Sequence, residues 1–159
     1  MKMFKKIMAV ALTAVMAVSM LTGCAFKNEK DMERALKLAG QTRGVTVEVD
    51  NNKKVDGKTL SAWAKEAADD LSDLVREDLS GHYYSEDGKL IAYVVKEQGS
   101  AKKWREAAGE VVDDMIDTAK DDNGKYSVAI DTFKAKKEAD KDAKNDYVVV
   151  VVEAKALEK

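Results

Sequence analysis

Two spacings of apolar residues take turns along this chain, one helical and one strand-like. From Leu60, apolar side chains fall at Trp63, Ala64, Ala67, Leu71, Leu74, Val75 and Leu79, with Lys65, Glu66, Asp69, Asp70, Asp73 and Arg76 between them. Steps of three and four gather the apolar set into one stripe. They predict an amphipathic helix of roughly 20 residues, ended by Ser80-Gly81. The same spacing returns from Ala101 through Trp104, Ala107, Ala108, Val111, Val112, Met115 and Ile116 to Ala119, with Ser100 as N-cap. A shorter instance, Met32, Ala35, Leu36 and Ala39, predicts a short helix capped by Asp31 and stopped by Gly40. Alternation governs Val45, Val47, Val49 and again Tyr126, Val128, Ile130, the pattern of half-buried strands. Leu90–Val95 and Tyr147–Val152 are apolar at every position, as strands covered on both faces are.

Turn chemistry separates these runs. Glu86-Asp87-Gly88 reads as a hairpin between residues 82–84 and the strand that follows, and Asp122-Asn123-Gly124 as a turn. Residues 51–58 are turn-like, ending in Asp56-Gly57. Lys134–Asp146 carries five Lys and four acids with almost nothing apolar, the composition of a solvated hairpin tip. The sum is α+β: two long amphipathic helices and one short helix packed on a mainly antiparallel sheet of four to five strands, forming a single domain over 32–159. Val148–Val152 belongs in the sheet interior beside residues 126–133, because an edge strand that apolar would pair with other molecules. Its alternate Val residues are then expected to touch the two long helices.

The first residues follow neither rhythm. Lys2, Lys5 and Lys6 precede a 15-residue apolar run, Ile7–Leu21, interrupted by Thr13 and Ser19. A membrane-spanning helix needs about 20 apolar residues, so the run has the proportions of a signal-peptide core. It stops at Leu21-Thr22-Gly23-Cys24. These residues resemble the lipobox of bacterial lipoproteins: an aliphatic residue, two small residues, then Cys. The resemblance implies cleavage before Cys24, a covalent diacylglycerol on its thiol, and palmitate-type acyl chains that hold the protein on a membrane. Residues 1–23 are then the signal peptide, and 24–31 the lipidated Cys with a short polar tether. Ala25 stands where an Asp would resemble the inner-membrane retention signal of enteric bacteria. The expected location is the extracytoplasmic face of the cell membrane, or the outer membrane where there is one.

Composition narrows the classes. The 159 residues include one Cys, one His and no Pro. A single Cys excludes an internal disulfide framework and a Cys-cluster metal site. Three Lys leave with the signal peptide and no acid does, so 24 basic residues face 29 acidic ones, net −5. An acidic domain outside the cytoplasm is not built for nucleic acid.

Candidate chemistry is sparse. His82 lies in Gly81-His82-Tyr83-Tyr84, beside two phenols, and these three side chains are the candidate site residues. A Ser-His-Asp arrangement would recruit Ser80 or Ser85, yet no nucleophile elbow is present. The acidic stretches 50–57, 121–124 and 140–146 do not match an EF-hand loop, and Lys53, Lys54 and Lys125 intrude where a cation would sit, so no metal is expected. The rows Asp69, Asp70, Asp73 and Asp113, Asp114, Asp117 are expected on the wet faces of their helices, and Trp63 and Trp104 in the core. Gly81-His82 with Gly88, then Gly124–Ile130 and Asp146–Val152, resemble faintly the CAP superfamily of secreted α-β-α sandwiches. That family's second His and Glu partners are missing, so its cation site would be lost. The expectation is a lipid-anchored, extracytoplasmic interaction or binding module, non-catalytic, with a protein or envelope polymer as partner and no cofactor. The alternative is a small surface hydrolase or ligand-binding protein using His82 with neighbouring Tyr and acidic residues.

Overall fold

A computed structural model describes residues 23–73, 79–98, 100–134 and 146–154, with side chains from Asn28 onward. Along them run α1 (Gly23–Thr42), β1 (Thr46–Val49), the short strands β2 (Lys54–Val55) and β3 (Lys58–Thr59), and α2 (Leu60–Ser72). There follow β4 (Gly81–Tyr84), β5 (Leu90–Lys96), α3 (Ala101–Thr118), β6 (Lys125–Lys134) and β7 (Asp146–Glu153). Five strands make one sheet in the order β1-β6-β7-β5-β4. It is antiparallel except where β1 runs parallel to β6, with Val47 opposite Tyr126. The α+β arrangement of helices on a mainly antiparallel sheet is therefore present.

The all-apolar strand β7 takes the centre, hydrogen-bonded to β6 on one side and β5 on the other. Val150 lies between Tyr93 and Ile130. Strand alternation sends Val148, Val150 and Val152 into a core with Met32 and Leu36 of α1 and Trp104, Val112 and Met115 of α3. Tyr147, Val149 and Val151 go to the other face, against Leu60, Trp63, Ala67 and Leu71 of α2. Helices thus cover both faces, and this is why β5 and β7 carry no polar face. Both Trp residues are core, and Trp63 Nε1 donates to the Val55 carbonyl at 2.9 Å.

The long helices begin on side-chain caps. Thr59 Oγ1 accepts from the Ala62 amide at 3.2 Å, and Ser100 Oγ from the Lys103 amide at 3.3 Å. The turn-like stretch 51–58 contains the β2–β3 hairpin. Its tip is Asp56 and Gly57, both at positive φ (54° and 79°), the requirement of a type I′ turn.

Several boundaries differ from expectation. The first helix starts at Gly23 rather than near Asp31, which lies inside it, so the residues read as a polar tether are its first turns. Asn28, Met32, Leu36 and Ala39 are all buried at steps of four and three, one continuous helical face that the polar Asn28 disguises. The described part of α2 ends at Ser72 with Asp73 as C-cap. The predicted continuation through Leu74, Val75 and Arg76 lies outside the described residues, as do 1–22, most of the expected hairpin tip (135–145) and 155–159.

Candidate functional site

β4 is the end strand of the sheet, paired with β5 alone, and its four residues alternate between the faces. His82 and Tyr84 point toward α3. Tyr83 points the opposite way, into the core beneath α2, where it is 3 % exposed and its hydroxyl donates to the Leu79 carbonyl at 2.8 Å. The three candidates therefore do not form one site. Tyr83 is a structural residue, because neighbours on a strand cannot share a face.

His82 meets α3 at Asp114. Nδ1 and Asp114 Oδ2 are 2.7 Å apart, with each side chain about one-third exposed. A carboxylate accepts, so the Nδ1 proton is donated to Asp114 and the ring is fixed with Nε2 as its second polar atom. The ring stands edge-on to Tyr84 (centroids 5.4 Å apart) and to Tyr93 (6.3 Å). Below it, the Thr118 hydroxyl donates to the Asp114 carbonyl at 2.6 Å, so the Tyr93 hydroxyl, also 2.6 Å away, donates to Thr118. Burial pushes the Tyr93 phenol well above its ordinary range, so it remains a proton donor rather than a base. Sequence spacing could not link His82 to Asp114; the β5–α3 crossover brings them together. Asp114 was expected on the wet face. It is half-buried, with His82 of β4 packed against it. Asp113 next to it is exposed and bonds the Arg43 guanidinium (2.6 Å to Nε), which holds its carboxyl below the usual range.

Between α3 and the β4–β5 end of the sheet runs an open groove of about 310 Å³. Asp114 and Tyr93 line one end, and Lys96, Gln98 and Lys103 the other. Glu106 and Glu110 stand along the α3 wall, and Val95, Ala107 and Val111 supply apolar surface. His82 sits beside this groove rather than in its lining, with its partner carboxylate inside. The groove is in the size range of small-ligand sites, at the lower end.

A second acidic group departs from expectation. Asp70 is 2 % exposed rather than solvated, and its Oδ2 has no hydrogen-bond partner. Burial first, then Glu66, Asp69 and Asp73, raises its carboxyl to about 7. Glu66 pairs with Lys58, whose ammonium lies 4.0 Å from the centroid of the Trp63 ring. Among the described residues no group of three or more His, Cys, Asp or Glu is placed to hold a metal ion.

Of the lipobox residues, Leu21 and Thr22 lie outside the described residues, while Gly23 and Cys24 are the first two of α1. No family model matches the chain, and no curated protein or solved structure matches it either. The stretches that resemble the CAP superfamily fall on the β4–β5 hairpin, the first part of β6, and β7.

Proposed function

We propose that this chain is a lipid-anchored extracytoplasmic binding module that holds a protein or envelope polymer near the membrane without chemistry of its own. The observation that carries the proposal is the coincidence of Lys2, Lys5 and Lys6, the apolar run 7–21 and Leu21-Thr22-Gly23 ahead of the chain's single Cys, Cys24. A single acyl chain anchors weakly, whereas two or more hold a protein on a bilayer. A diacylglycerol on Cys24 meets that requirement. Among the described residues no helix is long and apolar enough to cross a membrane. Because α1 already includes Cys24 and is packed in the core from Asn28 on, the anchor would join the fold with no spacer. That geometry suits a module working close to the lipid surface.

The test is Cys24→Ser in a bacterial host. The expected result is loss of lipidation, with full-length precursor accumulating. Normal processing of that variant, with partition into the detergent phase, would overturn the proposal.

One observation favours a second reading, a small hydrolase: the His82–Asp114 pair is the carboxylate-oriented imidazole that nucleophile activation uses. The hydrogen bond described for His82 goes to Asp114, and the sequence around Ser80 and Ser85 carries no nucleophile elbow, so binding stands first.

A further inference from the structure

The charges along the α3 groove are sorted rather than mixed. Lys96, at the end of β5, and Lys103, in the first turn of α3, stand at one end beside Gln98. The amino end of an 18-residue helix adds its own partial positive charge there. Glu106, Glu110 and Asp114 follow at steps of four, one above another on the same side of α3. Asp114 is engaged by His82. Lys96, Lys103, Glu106 and Glu110 form no ion pair with any described residue. Two charge types face one groove without forming ion pairs, Glu106 one turn beyond Lys103 and Glu110 and Asp114 farther along, and Val95, Ala107 and Val111 add apolar surface to the lining.

We infer that this groove binds a short extended peptide with a free C-terminal carboxylate, its carboxylate at Lys96 and Lys103 and its amino groups toward Glu110 and Asp114. The lengths agree. Lys103 and Glu110 are seven residues apart, about 10 Å along a helix at ~1.5 Å per residue. A peptide of three or four residues spans about 10–13 Å at ~3.3 Å per residue. The apolar surface accommodates small side chains. Ser80 and Gly81 complete the lining on the β4 side. A free amine alone would leave the lysine end unanswered, and a simple anion would leave the carboxylates unanswered. This inference goes beyond the anchoring proposal and holds whether or not Cys24 carries lipid.

The test is a titration of the full chain in detergent micelles followed by ¹⁵N–¹H NMR. The probes are Lys-Ala-Ala-Ala with free termini, its C-terminal amide, and the same peptide with both amines acetylated. The free peptide is expected to shift Gly81, Gln98, Ala107 and Val111. Each capped form should bind about tenfold more weakly, as losing a charge-assisted hydrogen bond implies. Lys103→Ala should abolish the difference between acid and amide while keeping that between amine and acetyl, and Glu110→Gln should do the reverse. Both side chains are exposed, so neither change endangers folding. Equal binding of all three peptides, shifts outside the groove, no shift at millimolar peptide, or binding of a diamine or inorganic phosphate in place of the peptide would each overturn the inference.

Discussion

Replacing Asp70 with Asn removes a carboxylate that the fold buries without a hydrogen-bond partner at Oδ2. In an unfolded chain an Asp titrates near ~3.9; in the folded protein this one is raised to about 7. Below pH 4 both states carry the proton, and the site costs nothing. Between pH 4 and 7 the folded state binds more protons than the unfolded one, so stability falls as pH rises. Above 7 both forms are ionised and the penalty is constant. Three units at about 1.4 kcal/mol each set a ceiling near ~4 kcal/mol. Asn keeps the shape but leaves a buried amide worth about 1–2 kcal/mol against it. The net gain at pH 8 is therefore about 2–3 kcal/mol, or roughly 4–12 °C in Tm for a protein of this size. At pH 4 the gain should vanish or change sign. Glu29, also raised to about 7, and Asp131, raised by burial, push the wild-type profile the same way, so Asp70's share is read from the difference between the two proteins. Circular dichroism melts of both at pH 4 and pH 8 decide it. A Tm gain independent of pH, or none at pH 8, would refute the burial of an ionisable Asp70.

Two further substitutions test the placement of residues. Val150 is fully buried between Tyr93 and Ile130, so Val150→Asp should cost several kcal/mol out of the ~5–15 kcal/mol such a domain holds, and unfold or aggregate the protein; a wild-type melting temperature would contradict the central position of β7. Tyr83→Phe removes the donor to the Leu79 carbonyl and should lower stability by about 1 kcal/mol in a urea titration while leaving groove binding intact; lost binding with unchanged stability would put Tyr83 back beside His82.

Much of the architecture was readable because each element's burial is one-sided in the way its period demands. The stripes of α2 and α3, the Ser100 cap and the all-apolar β5 and β7 follow from spacing alone. Hidden features arise where a polar residue occupies a core position. Asn28 and Asp70 are buried on helix faces where their chemistry reads as solvent-exposed, so spacing alone starts α1 eight residues late and puts the Asp70 row in water. The parallel β1–β6 pairing left no mark, since Val45, Val47 and Val49 alternate identically in either direction. In the candidate site, the separation of Tyr83 from His82 and Tyr84 was available from strand alternation. The partnership of His82 with Asp114, 32 residues on, depends on how α3 crosses back over the sheet, and no local pattern encodes it.

The most direct test of the anchoring account is mass spectrometry of the chain isolated from the membranes of a bacterial host. The account predicts a mature protein whose first residue is Cys24, with diacylglycerol in thioether linkage to its sulfur. A chain that retains residues 1–23, or one cut elsewhere with a free thiol at Cys24, would contradict it.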